Sequence, residues 1–134
     1  MLDPFLAAQN PVYATVCAEL RTGRKQSHWM WFIFPQLRAL GRSPTALRFG
    51  LADLAEARAY IAHPVLGERL RDCTGLVNAV EGKSAHEIFG SPDDLKFRSC
   101  MTLFARASSD NGIFVAALAK YFGGKPDPLT LELL

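Results

Sequence analysis

Ser27-His28-Trp29-Met30-Trp31-Phe32-Ile33-Phe34-Pro35-Gln36 is the stretch whose reading decides the fold. It holds both tryptophans of the chain, two of its nine phenylalanines and one of its three histidines. Between Trp29 and Phe34 no period separates an apolar face from a polar one, and a segment apolar on every side is buried on every side. Pro35 ends it, because proline disfavours helical geometry in the residue before it and has no amide proton to donate. The stretch reads as a short central helix, about 26–34, around which the other elements pack.

The punctuation outside it is helical. Asp3-Pro4, Asn10-Pro11, Ser43-Pro44, Ser91-Pro92 and Asp127-Pro128 each set a capping residue directly before a proline. Proline suits the first helical position, where its missing amide would be unpaired anyway, so each pair predicts a helix start. Asp53 with Glu56 and Ser84 with Glu87 have capping-box spacing, and His63-Pro64 predicts the end of one helix and the start of the next. Gly90 and Gly123-Gly124 stand where helices should stop. Strand signals are poor: alanine and leucine outnumber valine and isoleucine, and Asn111-Gly112 joins two helical patterns rather than two alternating runs. The expected fold is all-α, an orthogonal bundle of about six to eight short helices forming a single domain over 1–134.

Size and charge narrow the function classes. At 14.8 kDa the chain should expose roughly 7,000 Å² when folded against about 21,500 Å² unfolded, enough burial for a core without disulfides or metal. A net charge of +2 argues against nucleic acid, and no apolar run reaches membrane-spanning length. Three cysteines without metal-type spacing read as free thiols in a reducing compartment, and Asp3 and Pro4 replace the positive start of a signal peptide. The expected location is the cytoplasm. The histidines at 28, 63 and 86 lack the spacing of helical metal ligands, so neither a metal nor a cofactor is expected.

Few residues carry candidate chemistry. His28, at the start of the central element, is the candidate general base. Trp29, Trp31 and Gln36 form a candidate wall for a flat ring, with an indole N–H or an amide to orient it. Arg24 and Lys25, in the basic turn before the element, are candidate ligands for a phosphate or carboxylate. Lys96 and Ser99 share a helix face three residues apart, although nothing near them supplies an oxyanion hole. Cys17 and Cys73 fall on apolar faces and read as small core residues.

The run Gly23-Arg24-Lys25-Gln26-Ser27 through Gln36 strongly resembles the signature of a bacterial family catalogued as domain of unknown function number 1810. Ala59-Tyr60, His63-Pro64-Val65-Leu66-Gly67, Arg69-Leu70, Ile88-Phe89-Gly90, Met101-Thr102-Leu103-Phe104 and Thr130-Leu131 fit the same likeness, as do Asp94, Lys96 and Ser99. The resemblance implies a mainly α-helical fold; it implies no activity, cofactor or catalytic residue. Cys100 falls where many relatives are expected to carry serine, which argues against a catalytic hydroxyl there. Two functions from different classes remain. One is a small-molecule-binding protein or enzyme with an anionic, planar or sugar-like ligand at the His28, tryptophan and Gln36 element. The other is a non-enzymatic protein-interaction module, which would expose a contiguous apolar patch.

Overall fold

The computed structural model describes residues 2–134. Among them lie ten α-helices: α1 (Asp3–Gln9), α2 (Tyr13–Thr22), α3 (Met30–Ile33), α4 (Pro44–Phe49), α5 (Leu54–Ala62), α6 (Leu66–Asn78), α7 (Ala85–Phe89), α8 (Asp93–Ala107), α9 (Gly112–Phe122) and α10 (Pro128–Glu132). A 3-10 turn spans Arg38–Leu40, and the sole β-type pairing among the described residues is an isolated parallel bridge between Leu37 and Leu51. The protein is all-helical. The count exceeds the expected six to eight because α3, α4, α7 and α10 are short pieces of four to six residues.

The long helix α8 is the spine. It packs against α5, α7, α9 and α10, and buries Phe97, Cys100, Met101, Leu103 and Phe104 completely. One continuous apolar cluster joins these to Trp29, Ile33 and Phe34 of the tryptophan-rich stretch and to Leu66, Leu70 and Val77 of α6. The exposed area is 6,766 Å², close to what the chain's mass requires of a compact body. No helix among the described residues is long and apolar enough to cross a membrane.

The caps follow local chemistry. Ser43, Asp53, Ser84 and Asp127 each accept a hydrogen bond from the amide three residues on, and Ser84 with Glu87 completes a capping box. Three proline pairs depart from the expectation. Asp3 lies inside the first turn of α1, Asn10-Pro11 lie in the turn that joins α1 to α2, and Pro92 rather than Ser91 sits at the start of α8.

The central helix is also shorter than expected, four residues rather than 26–34, and the residues before it are held by other elements instead. The Lys25 amide donates to the Ile88 carbonyl at 2.8 Å, and the amides of Gln26 and Ser27 donate to Oε1 of Glu19 at 2.7 and 3.0 Å. These bonds hold residues 25–27 against α2 and α7, and the first bonds within the segment run from the Phe32 and Ile33 amides to the Trp29 carbonyl. Residues 24–29 are therefore a loop folded over α2. Trp29, Met30, Ile33 and Phe34 are buried as the sequence predicts, whereas Trp31 and Phe32 are half-buried.

Candidate functional site

Glu19 organises the loop that leads into α3. The carboxylate, on the core side of α2, accepts from the amides of Gln26 and Ser27, the Ser27 hydroxyl and the indole Nε1 of Trp29. Burial alone pushes such a carboxyl up. Here the hydrogen bonds from the Ser27 hydroxyl, the two amides and the indole outweigh it and hold Glu19 down at about 2. Trp29 is thereby a core residue, 1% exposed with its single polar atom satisfied, and not the wall of a cavity.

The basic residues of the same loop part company. Arg24 and His28 are exposed, and neither side chain has a hydrogen-bond or ion-pair partner among the described residues. Lys25 turns inward. Its ammonium donates to the Ser27 carbonyl at 2.6 Å, pairs with Asp93 Oδ2 at 3.0 Å and lies 5.1 Å from the Trp29 ring centroid. With its side chain 8% exposed, Lys25 ties the loop to the start of α8 rather than waiting for an anion. His28 does not line the crevice or the cavity formed around Gln36 and Lys96.

Four predicted residues do come together. Asp93 Oδ1 is 3.5 Å from the ammonium of Lys96, one helical turn along α8, and that ammonium lies 3.4 Å from the Trp31 ring centroid. Trp31 thus offers its face to a lysine, not an open platform for a flat ring. Lys96 and Gln36 both line a crevice against Trp31, Phe34 and Phe49, and the same two residues line a larger cavity of about 400 Å³. That cavity is completed by Leu40 from the 3-10 turn, Pro92, Leu95, Arg98 and Ser99 at and along α8, and Asp127 and Leu129 at the start of α10.

The polar ends in this cavity differ in how far they are engaged. Ser99 is buried, and its hydroxyl is within reach of the Leu95 carbonyl at 3.1 Å and Asp127 Oδ2 at 3.0 Å. Asp127 Oδ2 also accepts from the amide and hydroxyl of Thr130, at 3.2 and 2.5 Å. Among the described residues, Oδ1 of Asp127 and the side-chain amide of half-buried Gln36 have no partner. The residues lining the cavity therefore include a carboxylate and a primary amide with unengaged ends, the Lys96 ammonium, and the Arg98 guanidinium, which is engaged by the Lys125 and Pro126 carbonyls. Such a set can bind hydroxyl groups and an anionic substituent.

Nucleophilic chemistry has little to draw on here. Burial pushes the Cys73 thiol up to about 12 and raises Cys100 as well, and both are fully enclosed. His63 is engaged in structure: its Nδ1 accepts from the amides of Val65 and Leu66 at 3.1 and 3.2 Å and caps α6.

Glu19, Asp93 and Asp127 were not read as parts of this arrangement from the sequence. Glu19 did leave a signal, since it shares the inward face of α2 with Val16 and Leu20, where an acid needs a buried partner. Asp93 and Asp127 left none beyond capping: both sit at helix starts, where an acidic residue has a sufficient local reason.

Similarity to known proteins supports the fold and leaves the activity open. The crystal structure of the conserved hypothetical protein Rv1873 from Mycobacterium tuberculosis shares 61% sequence identity and superposes with a TM-score of 0.98, over 99% of this chain and 95% of that one. No match was found among curated proteins. The family model described as protein of unknown function (DUF1810) matches residues 1–134, the whole chain, which therefore belongs to the DUF1810 family.

Proposed function

We propose that the protein binds a small, hydroxyl-bearing anion of sugar-like character in the cavity between Gln36, Lys96, Ser99 and Asp127. The observation that carries this is that Gln36 and Asp127, each with an unengaged polar end, line one cavity of about 400 Å³ together with Lys96. A cavity of that volume is in the range of small-molecule sites. Asp127 Oδ1 and Gln36 suit hydroxyl groups, and Lys96 supplies the charge for a phosphate or carboxylate. A planar ligand has less support, because Lys96 covers the Trp31 face. The reading gives His28 no role, since that side chain lies outside the cavity.

The protein-interaction alternative has weaker support. Large exposed apolar side chains are dispersed over α4, the start of α6, α8, α9, α10 and the C-terminal end, and two of them, Leu95 and Leu129, line this same cavity. The test is calorimetric titration with glucose 6-phosphate and ribose 5-phosphate, with glucose and inorganic phosphate as controls. Saturable binding of a sugar phosphate is expected, weakened about tenfold or more by Lys96→Met and by Gln36→Ala, and untouched by His28→Ala. No binding at millimolar concentrations, or equal binding by Lys96→Met, refutes the proposal.

A further inference from the structure

A second cavity, about 350 Å³, lies between the last turns of α8, the outer face of α9 and α10, and shares no lining residue with the first. Its walls are mostly apolar: Ala105, Val115, Leu118, Pro126 and Leu131. Val115, 48% exposed, is among the most solvent-accessible large apolar side chains of the described residues. The wall at Pro126 is fixed in place. Arg98 donates to the carbonyls of Lys125 and Pro126, both at 2.9 Å, and the Asp127 amide donates to the Thr102 hydroxyl oxygen at 2.8 Å. A groove held open by such clamps needs little ordering when something enters it.

The charge of this groove is one-sided. No acidic side chain lines it, and Arg106 supplies its only formal charge. Arg98 is consumed by main-chain carbonyls and Arg71 by the Asp110 carbonyl, but the Arg106 guanidinium has no hydrogen-bond or ion-pair partner among the described residues. Its place in the last turn of α8 is favoured by the helix dipole, which explains the charge without consuming its donors. The Asn111 amide, also lining the groove, is oriented by its bond to the Ala105 carbonyl at 2.9 Å.

We infer that this groove binds a small amphipathic carboxylate, with its apolar body along Val115, Leu118 and Leu131 and its anionic head on Arg106. The volume suits a body of about ten non-hydrogen atoms, on the scale of roughly 30 Å³ for each water-sized group. A neutral apolar ligand would leave Arg106 unused, and a cation would meet a like charge. A guanidinium instead engages a carboxylate through two parallel hydrogen bonds.

The experiment uses octanoate as the probe and the full chain, followed by amide chemical shifts, with sedimentation analysis of the ligand-free protein. Saturable shifts centred on Val115, Leu118 and Leu131 are expected. Arg106→Gln, on an exposed side chain, should weaken the binding about tenfold or more. Octanol should bind more weakly than octanoate, Val115→Asp should abolish binding, and Lys96→Met should leave it unchanged. The inference is overturned by shifts that do not saturate, by equal octanoate binding to wild type and Arg106→Gln, or by shifts clustered at Gln36 and Lys96. A ligand-free dimer that Val115→Asp converts to monomer would also overturn it, since the occupant would then be a second copy of the chain.

Discussion

The indole N–H of Trp29 donates to the carboxylate of Glu19 at 3.0 Å, across ten residues of sequence and inside the core. With the amides of Gln26 and Ser27 and the Ser27 hydroxyl on the same group, a single acid holds the loop that leads into α3. The signature run therefore has two halves: a loop whose donors end on Glu19, and a short apolar helix whose exit leads to Gln36.

Acid should unfold the protein through Glu19. Its folded value of about 2 lies below the ordinary 4.5, so the carboxylate's contribution is complete above about pH 4.5 and is lost as pH falls toward about 2. At about 1.4 kcal/mol per unit this is a contribution on the order of 3 kcal/mol. Glu19→Gln turns one acceptor oxygen into a donor facing other donors. It should lower stability near neutrality by about 2 kcal/mol and flatten the pH dependence between 5 and 2, as read by urea unfolding at each pH. Parallel curves for wild type and Glu19→Gln would remove this account.

Gln9 makes a second long-range tie. It is 1% exposed, and its Nε2 donates to the Phe32 carbonyl at 2.7 Å and to the Tyr60 hydroxyl at 3.0 Å. Its Oε1 accepts from Arg69 at 3.2 Å. Gln9→Leu fills the same space but strands the carbonyl and the phenol, so a loss of about 2–4 kcal/mol is expected. In urea the midpoint should fall with little change in slope. A loss within experimental error would mean water satisfies those groups.

These two residues show what the chain makes legible and what it does not. Ser43, Asp53, Ser84 and Asp127 act over three residues, so their caps can be read from spacing alone. The buried identity of Trp29, Ile33 and Phe34 is equally readable, because burial follows from the lack of any polar face. The path of residues 24–29 is not, since it follows contacts with Glu19 and with the Ile88 carbonyl that no local pattern announces. The cavity is less legible still: Gln36 and Asp127 lie far apart in the sequence, and no local pattern says that they line one hollow. His63 is a milder case. Its proline neighbour announces a break, but not that the imidazole itself accepts the amides of α6.

Two glycines of α6 should respond oppositely to alanine. A Cβ on Gly67 would stand 2.1 Å from the Ile61 carbonyl oxygen and 2.9 Å from its carbon, so α5 and α6 could not keep their close approach. Gly67→Ala should cost more than about 2 kcal/mol, in the range of overpacked core sites. A Cβ on Gly75 meets only Ile113 Cδ1 at 3.6 Å, an ordinary contact in a helix interior. Gly75→Ala should therefore raise stability by about 0.5–1 kcal/mol. Thermal melts of the two variants decide it, and a shift of the same sign in both would contradict the packing described between α5 and α6.

Asp93 stands between two lysines of unequal standing. Lys25 is 8% exposed and loses its only ionic partner in Asp93→Asn, whereas Lys96, at 19%, keeps the Trp31 face. Asp93→Asn should cost about 1–3 kcal/mol, the range for stranding an enclosed charge that retains one hydrogen bond, here to the Ser27 carbonyl. Lys25→Met should recover part of that loss in the double variant, since it removes the stranded charge, and the four corners of the cycle read the coupling directly. Lys96→Met should cost under about 1 kcal/mol, as a more accessible pair contributes less. The same substitution should nonetheless abolish most sugar-phosphate binding, which separates a residue kept for a ligand from one kept for the fold. Additive losses in the Lys25–Asp93 cycle, or a Lys96→Met variant as unstable as Asp93→Asn, would show that the division drawn between the two lysines is wrong.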